Sequence, residues 1–168
     1  MKKILLISSF LMLYMAGFAQ ESPEEKVSQV FGASNVEVVY CRPSVRGRVI
    51  FGDLVPYDKV WRTGANAATT IEFKTDVKFG GKPVKAGKYA LFTIPGKTEW
   101  LIILNSAVKS WGAFKYSEKE DVARLTVKSN PQTPKEEKFT IRFGKASKEG
   151  TEMEILWDNV LVTMPIAL

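Results

Sequence analysis

Arginine side chains are concentrated in one stretch of the sequence, residues 42–73, and their chemistry there is that of anion recognition. The chain holds six arginines, and four of them lie at positions 42, 46, 48 and 62, whereas the other basic residues are almost all lysines. A guanidinium group presents a planar fork of N–H donors that matches a carboxylate or a phosphate, while lysine offers a hydrated point charge. This concentration of guanidinium groups predicts a site that recognises the shape of an anion, rather than charges placed only to keep the protein soluble.

Neighbouring polar and aromatic residues complete a candidate ligand-binding site. It comprises three arginine forks, two residues that would orient a ligand by hydrogen bonds, a stacking tryptophan and a tryptophan from a later segment, namely Arg42, Arg48, Arg62, Tyr57, Asn66, Trp61 and Trp111. Trp111 is included because it stands beside Gly112 in a segment without clear periodicity, where an exposed aromatic ring can contact a ligand. Trp100 and Trp157 fall in strand-like stretches, and we expect them to pack in the core.

The same arginines are open to a second interpretation, in which they fasten a long connection onto the rest of the domain. Asp53, Asp58 and Glu72 lie nearby in the sequence and could pair with them. Long ordered loops need such anchors to satisfy their backbone polar groups. A ligand site predicts an open pocket where the forks converge, whereas a clamp predicts an acidic or carbonyl partner for every arginine. The sequence leaves both interpretations open.

Histidine is absent from the chain, which narrows the possible catalytic chemistry. Its absence excludes Ser-His-Asp and Cys-His mechanisms and the usual histidine-containing ligand sets for zinc, copper and iron. A hydrolase would have to use carboxylates, with Asp53, Asp58 and Glu99 as candidates, and this is the alternative function. Our first expectation is a non-catalytic module with no catalytic residues, no metal site and no cofactor. It would bind a small anionic or carbohydrate-derived ligand, and a purely structural envelope protein is the third possibility.

The N-terminus has the pattern of a secretory signal peptide, assigned to residues 1–19. Lys2 and Lys3 precede an apolar run that is too short for a lasting membrane span, and small residues at positions 17 and 19 predict cleavage after Ala19. No cysteine follows that point at once, so a lipid anchor is not expected. We therefore expect an exported protein, periplasmic or extracellular, with no stable membrane anchor.

Charge and cysteine content indicate an ordinary exported domain. Removal of residues 1–19 takes away two lysines and no acid, which lowers the net charge from +6 to +4. The lysines are scattered rather than gathered in a basic stripe, so no nucleic-acid partner is expected. A lone Cys41 cannot form an intrachain disulfide, and we expect it to be buried. The oligomeric state is left open.

The remaining sequence predicts a single all-β domain. Residues 20–34 are expected to form a polar lead-in segment with at most a short first strand, and residues 35–168 to form the domain. About ten short stretches alternate apolar and polar residues or are continuously apolar, and Gly- and Pro-rich turns separate them. No long stretch has helical periodicity. This pattern predicts one antiparallel β-sandwich.

Several strings of residues resemble a known family. They are YCRPS (40–44), GR (47–48), IFG (50–52), LVPY (54–57), VWRTGAN (60–66), AGKY (86–89), LFTIP (91–95), EW (99–100) and WGA (111–113). Together they resemble a bacterial secreted family of unknown function, domain-of-unknown-function family 2911, over nearly all of the chain that follows the signal. Cys41 departs from the small polar residue expected there. The resemblance implies export from Gram-negative bacteria and a β-rich domain, and it implies no particular activity.

Overall fold

The structure is a computed structural model that describes residues 22–109 and 111–168. Nine β-strands and the connections between them make up this part of the chain. The expected signal peptide (1–19), its cleavage site and the first two residues of the lead-in lie outside these residues. A single 3₁₀ turn, Glu118–Glu120, precedes the eighth strand. In chain order the strands are β1 (Glu24–Phe31), β2 (Ser34–Cys41), β3 (Thr69–Phe73), β4 (Val77–Phe79), β5 (Lys82–Val84), β6 (Gly87–Pro95), β7 (Glu99–Asn105), β8 (Asp121–Phe143) and β9 (Gly150–Ala167).

Every pair of neighbouring strands is antiparallel, and the strand order is β1-β2-β3-β6-β7-β8-β9-β4-β5. Strand β8 belongs to two ladders, because residues 121–128 pair with β7 whereas later residues, from Ser129 onward, pair with β9. The sheet folds back on itself. The rings of Phe73 on β3 and Phe79 on β4 lie 6.1 Å apart, although four strands separate β3 from β4 in the order. The prediction of an all-β antiparallel fold is confirmed.

The core lies between the two folded-over parts of the sheet. Strand β2 shows why, since its side chains alternate between buried and partly exposed along the whole strand. Tyr40 ties β2 to the second half of β8, because its hydroxyl donates to the carbonyl of Ile141 (3.2 Å) and accepts from the amide of the same residue (3.0 Å). Cys41 falls on the opposite face to Tyr40 and is partly exposed, so the prediction that its thiol is buried was wrong.

The strand count and lengths differ from the expected ten short segments. Strand β8 spans 23 residues and β9 spans 18, because neither breaks where the turn-forming residues suggested. Strand β8 passes through Pro131 and Pro134 with shifts in register, which is how an antiparallel ladder accommodates proline. Strand β1 begins at Glu24, inside the expected lead-in, and it pairs with β2 over its full length. Only its last residue is fully buried, and its sequence shows little alternation of apolar and polar residues. The strand was therefore hard to predict from the sequence.

Among residues 22–109 and 111–168, no helix is long and apolar enough to cross a membrane. The same part of the chain contains no cluster of three or more acidic or cysteine side chains that could hold a metal ion.

Candidate functional site

The arginine-rich stretch forms the connection between β2 and β3, residues 42–68, and it lies against the sheet without becoming a strand. Short bridges hold it in place, pairing Ser44 with Lys138 of β8 and Trp61 with Thr93 of β6. The amide of Trp61 donates to the carbonyl of Thr93 (2.7 Å), and the amide of Thr93 donates to the carbonyl of Trp61 (2.9 Å). These bridges fix the backbone on both sides of the arginines.

Trp61, the predicted stacking wall, belongs to an aromatic cluster in the core and is only 8% exposed. It stacks on Trp157 of β9, with ring centroids 5.8 Å apart and planes at 15°. The indole N–H of Trp61 donates to the carbonyl of Gly64 (3.0 Å), which ties the ring to its own loop. Phe139 meets both tryptophans edge-on. Most of the Trp61 ring is therefore occupied by protein neighbours.

One pocket of about 290 Å³ opens beside this aromatic cluster, and three arginines line it. Arg46 and Arg48 are exposed, whereas Arg62 is partly buried and the tryptophans Trp61 and Trp157 are buried. The exposed members therefore lie toward solvent and the tryptophans form the inner wall. No aspartate or glutamate of the described chain is among the lining residues. The pocket is consequently electropositive.

Arg62 is the unusual member of this set. Its guanidinium makes no hydrogen bond or ion pair within the described residues, and its Nε is buried without a partner. Burial lowers the pKa of Arg62, and the nearby Cys41 acts in the opposite direction. Arginine is so basic that the group stays protonated at neutral pH. The pocket therefore contains a positive charge that no group among residues 22–109 and 111–168 neutralises directly.

The other two arginines of the pocket are engaged with the chain. Arg48 folds back on its own loop, where its Nε donates to the carbonyl of Val45 (3.0 Å) and its Nη2 to that of Ser44 (2.5 Å). The backbone amide of Arg46 donates to the carboxylate of Glu137 (3.0 Å), and Arg46 has a further interaction. These contacts hold the two residues at the opening of the pocket.

Arg42, predicted as a fork of the site, points elsewhere. Its Nε donates to the carbonyl of Phe139 (3.0 Å), its Nη2 to the hydroxyl of Thr140 (2.8 Å), and its Nη1 to the carboxylate of Glu25 (2.5 Å). The side chain is 20% exposed. Arg42 thus joins β1, the end of β2 and β8, which is the clamp geometry, and it does not line the pocket.

The remaining predicted residues lie outside the pocket. Tyr57 lines a separate surface groove of about 540 Å³. The amide nitrogen of Asn66 donates weakly to the carbonyl of Ser22 (3.4 Å), and the carbonyl of Asn66 accepts from the amide of Gly112 (3.2 Å). Trp111 pairs with Ala67 and is 70% exposed, as its irregular segment suggested. Asn66 and Trp111 are therefore neighbours through the backbone of their loops, and neither of them lines the arginine pocket.

The candidate carboxylates of a hydrolase are not at this site. Asp53, Asp58 and Glu99 are all exposed, and none of them lines the arginine pocket.

Trp157 is a lining residue that the sequence analysis placed only in the core. It is 2% exposed, and its indole N–H has no hydrogen-bond partner in the part of the chain that the structure describes. A tryptophan in a strand carries no sequence signal that separates a satisfied indole from an unsatisfied one. Its position beside the pocket becomes visible only through the stacking with Trp61.

Comparison with known proteins places the whole described domain in one family. Searches of curated proteins and of solved structures gave no match. A family model described as "Protein of unknown function (DUF2911)" matches residues 22–166, which include β1 to β8, all but the last residue of β9, and every residue of the arginine pocket. The chain therefore belongs to the DUF2911 family, as the motifs between residues 40 and 113 suggested.

Proposed function

We propose that this protein is an exported, non-catalytic binding module whose arginine pocket takes a small anionic ligand. Arg62 is the observation that carries the proposal. A clamp needs every arginine to have a partner within the chain, and Arg42, Arg48, Arg124 and Arg142 all meet this requirement. Arg62 does not, although it is partly buried in a pocket lined by two more arginines and no acid.

The energetic argument is that an isolated, partly desolvated cation is costly, and an anion would offset this cost. Each hydrogen bond that involves a charged group contributes about 1.5–3 kcal/mol. Two such bonds from the Arg62 fork suffice for weak binding, and the positive rim formed by Arg46 and Arg48 would favour the approach of an anion.

Export rests on the N-terminal sequence pattern, and a periplasmic or extracellular location is part of the proposal.

Thermal unfolding of the mature protein in the presence of a panel of anions tests the proposal. The panel consists of inorganic phosphate, sulfate, acetate and benzoate, each added at matched ionic strength, with glucose as an uncharged member. A ligand present at 100 times its dissociation constant stabilises the folded state by about 2.7 kcal/mol, which raises Tm by several degrees in a domain of this size. We expect at least one anion to produce this shift in the wild type and none in Arg62→Met.

Arg142→Met is the matched control, because Arg142 pairs with Glu154 on β8 and β9, and neither residue lines the pocket. This variant should keep the full ligand response. The proposal is wrong if no anion raises Tm, or if Arg62→Met responds as strongly as the wild type.

A purely structural role is the competing function, and Arg42 is the observation that favours it. Its three hydrogen bonds support an internal fastening role for part of the arginine-rich stretch. The two functions differ in what they require of Arg62, so the same titration separates them.

A further inference from the structure

The turn at residues 111–116 carries the two most exposed large apolar side chains of the described chain. Phe114 is 90% exposed and Trp111 is 70% exposed, whereas the tryptophans at positions 61, 100 and 157 are buried. Contact with water over most of an aromatic ring is unfavourable, and two such rings in one short turn form an apolar patch. The pair therefore indicates a surface that another body covers.

Backbone contacts hold the first half of this turn against the connection between β2 and β3. Trp111 forms a bridge with Ala67, and the amide of Gly112 donates to the carbonyl of Asn66 (3.2 Å). Gly112 has φ +68°, and the Phe114 ring lies so close that a Cβ at this position would be 3.0 Å from it. The two rings are thus presented by a backbone of defined shape.

Tyr116 holds the second half of the turn against the sheet. Its amide donates to the carbonyl of Ala113 (3.1 Å), and its hydroxyl donates to the carboxylate of Asp121 (2.7 Å). Its ring meets Phe92 of β6 edge-on, with centroids 5.3 Å apart. Phe114 lies between these fastened ends and still projects into solvent, so the exposure belongs to a supported turn.

The charge beside the two rings is positive. Residues 109–116 contain two lysines, Lys109 and Lys115, and no acid. Both lysines are exposed, and neither makes an ion pair within residues 22–109 and 111–168. The acids come later in the chain, where Glu118 and Asp121 both pair with Arg124. Residues 109–124 hold four basic and three acidic side chains, a net charge of +1, and the basic ones lie nearest the rings.

Area and shape favour a lipid surface over a protein partner. An aromatic side chain buries at most about 150–250 Å², so the two rings together supply less than about 500 Å². A stable protein interface buries about 800 Å² on each partner, and the neighbouring Asn66, Lys109 and Lys115 are exposed polar residues. Protruding rings flanked by lysines can enter the headgroup region of a bilayer, where tryptophan is favoured and lysine meets lipid phosphates.

We infer that the turn at residues 111–116 docks the protein on the surface of an anionic phospholipid bilayer. Trp111 and Phe114 enter the interfacial region, and Lys109 and Lys115 lie at the phosphate groups. Two rings and two charges give reversible binding rather than a stable anchor. The inference goes beyond the proposed function and is independent of it, because no residue of the turn lines the arginine pocket.

Tryptophan fluorescence of the mature protein, residues 20–168, in the presence of vesicles tests the inference. Trp111 is the one exposed tryptophan of the four, so its insertion should shift the emission to shorter wavelength, and lipids brominated on their acyl chains should quench it. The vesicles consist of phosphatidylcholine alone or of phosphatidylcholine with one-third phosphatidylglycerol. Each lysine near an anionic surface strengthens binding roughly fivefold, so the phosphatidylglycerol vesicles should bind about 25-fold more tightly at low salt.

Four variants separate the contributions. Phe114→Ser should weaken binding at least about tenfold with little change in Tm, because that ring is almost fully exposed. The double variant Lys109→Gln, Lys115→Gln should bind both kinds of vesicle equally. Trp111→Phe should keep most of the binding, measured by cosedimentation, and lose the spectral shift. Val30→Thr is the matched control, because it changes an exposed apolar residue on β1 and should leave binding unaltered.

The inference is wrong if the wild type neither shifts its emission nor cosediments with the phosphatidylglycerol vesicles, or if Phe114→Ser binds them as tightly. A dimer that Phe114→Ser abolishes, in the absence of vesicle binding, would make the turn a contact between two copies of this chain and would also overturn it. A shift that persists in Trp111→Phe would come from a buried tryptophan and would contradict it too. Arg62→Met should bind vesicles as the wild type does, so this result stands apart from the anion titration.

Discussion

Replacing Arg42 by methionine should destabilise the folded protein, whereas replacing Arg62 by methionine should not. Methionine keeps most of the buried stem and removes the guanidinium, so the comparison isolates the polar contacts. Arg42 donates to Phe139, Thr140 and Glu25, whereas Arg62 has no such partner in the described chain.

The structure sets the size of each effect. Loss of the charged hydrogen bond to the Phe139 carbonyl costs about 1.5–3 kcal/mol. Glu25 is 38% exposed, so loss of that ion pair adds only about 0.2–1 kcal/mol. The Thr140 hydroxyl keeps another partner, the carbonyl of Lys138, and contributes little. Arg42→Met should therefore lower the free energy of unfolding by about 2–4 kcal/mol. Arg62→Met removes an unpaired, partly desolvated charge and should be neutral or stabilising by up to about 1 kcal/mol.

Urea unfolding followed by tryptophan fluorescence measures both values, and calorimetry gives the matching change in Tm, roughly 4–16 °C for Arg42→Met. An unchanged urea m-value is needed before the midpoints can be read as stabilities. If Arg62→Met destabilises the protein as much as Arg42→Met does, Arg62 is a structural clamp and its lack of a partner has no functional meaning. If Arg42→Met changes stability by less than about 0.5 kcal/mol, the clamp geometry contributes little.

Three further outcomes are expected. Tyr40→Phe leaves both backbone groups of Ile141 without their partner and should cost about 1–3 kcal/mol, with faster amide exchange at Ile141 as the specific readout. Gly80→Ala should lower the free energy of unfolding by well over 1 kcal/mol, because φ is +57° and the new methyl group would collide with Leu125 of β8. The control is Gly81→Ala, where φ is +82° and the methyl group meets no neighbour within 4 Å, so only the backbone strain should lower the stability. Burial and a hydrogen bond to a carboxylate raise the pKa of Tyr116, so the folded state retains its proton above pH 10 where the unfolded state loses it. Stability should thus be constant with respect to this group below pH 10 and fall above it, and Tyr116→Phe should make the alkaline fall of Tm less steep.

The sequence predicted strands well where the inward face is apolar and poorly where polar residues share that face. Strand β2 was recognisable because Val36, Val38 and Tyr40 all point into the core. The inward face of strand β1 carries Glu25 and Gln29 beside Val27 and Phe31, so its apolar alternation is weak, and pairing with β2 is what makes it a strand. Strand β8 contains Pro131 and Pro134, a residue type typical of turns, and only the partner strand β9 shows that the ladder continues past them.

For the site, the sequence located the arginine-rich stretch but could not assign roles within it. Arg42 and Arg62 are the same residue type in the same connection, and each follows an apolar or aromatic run. What separates them is the position of the acceptors. The partners of Arg42 lie 17, 97 and 98 residues away along the chain, so the folded sheet must exist before these bonds can be made. No local pattern can report on contacts of that kind.

The clamp and the pocket are parts of one arrangement rather than competing uses of the arginines. Arg42 and the adjacent backbone bond, in which the Phe139 amide donates to the Pro43 carbonyl (2.8 Å), hold the start of the connection against β8. Pro43 and Ser44, the next two residues, already line the pocket. A pocket wall fixed in this way needs no ordering when a ligand arrives, which lowers the entropic cost of binding. The fastening at Arg42 would therefore favour the binding that we propose at Arg62, and a structural role for one arginine is compatible with a binding role for the other.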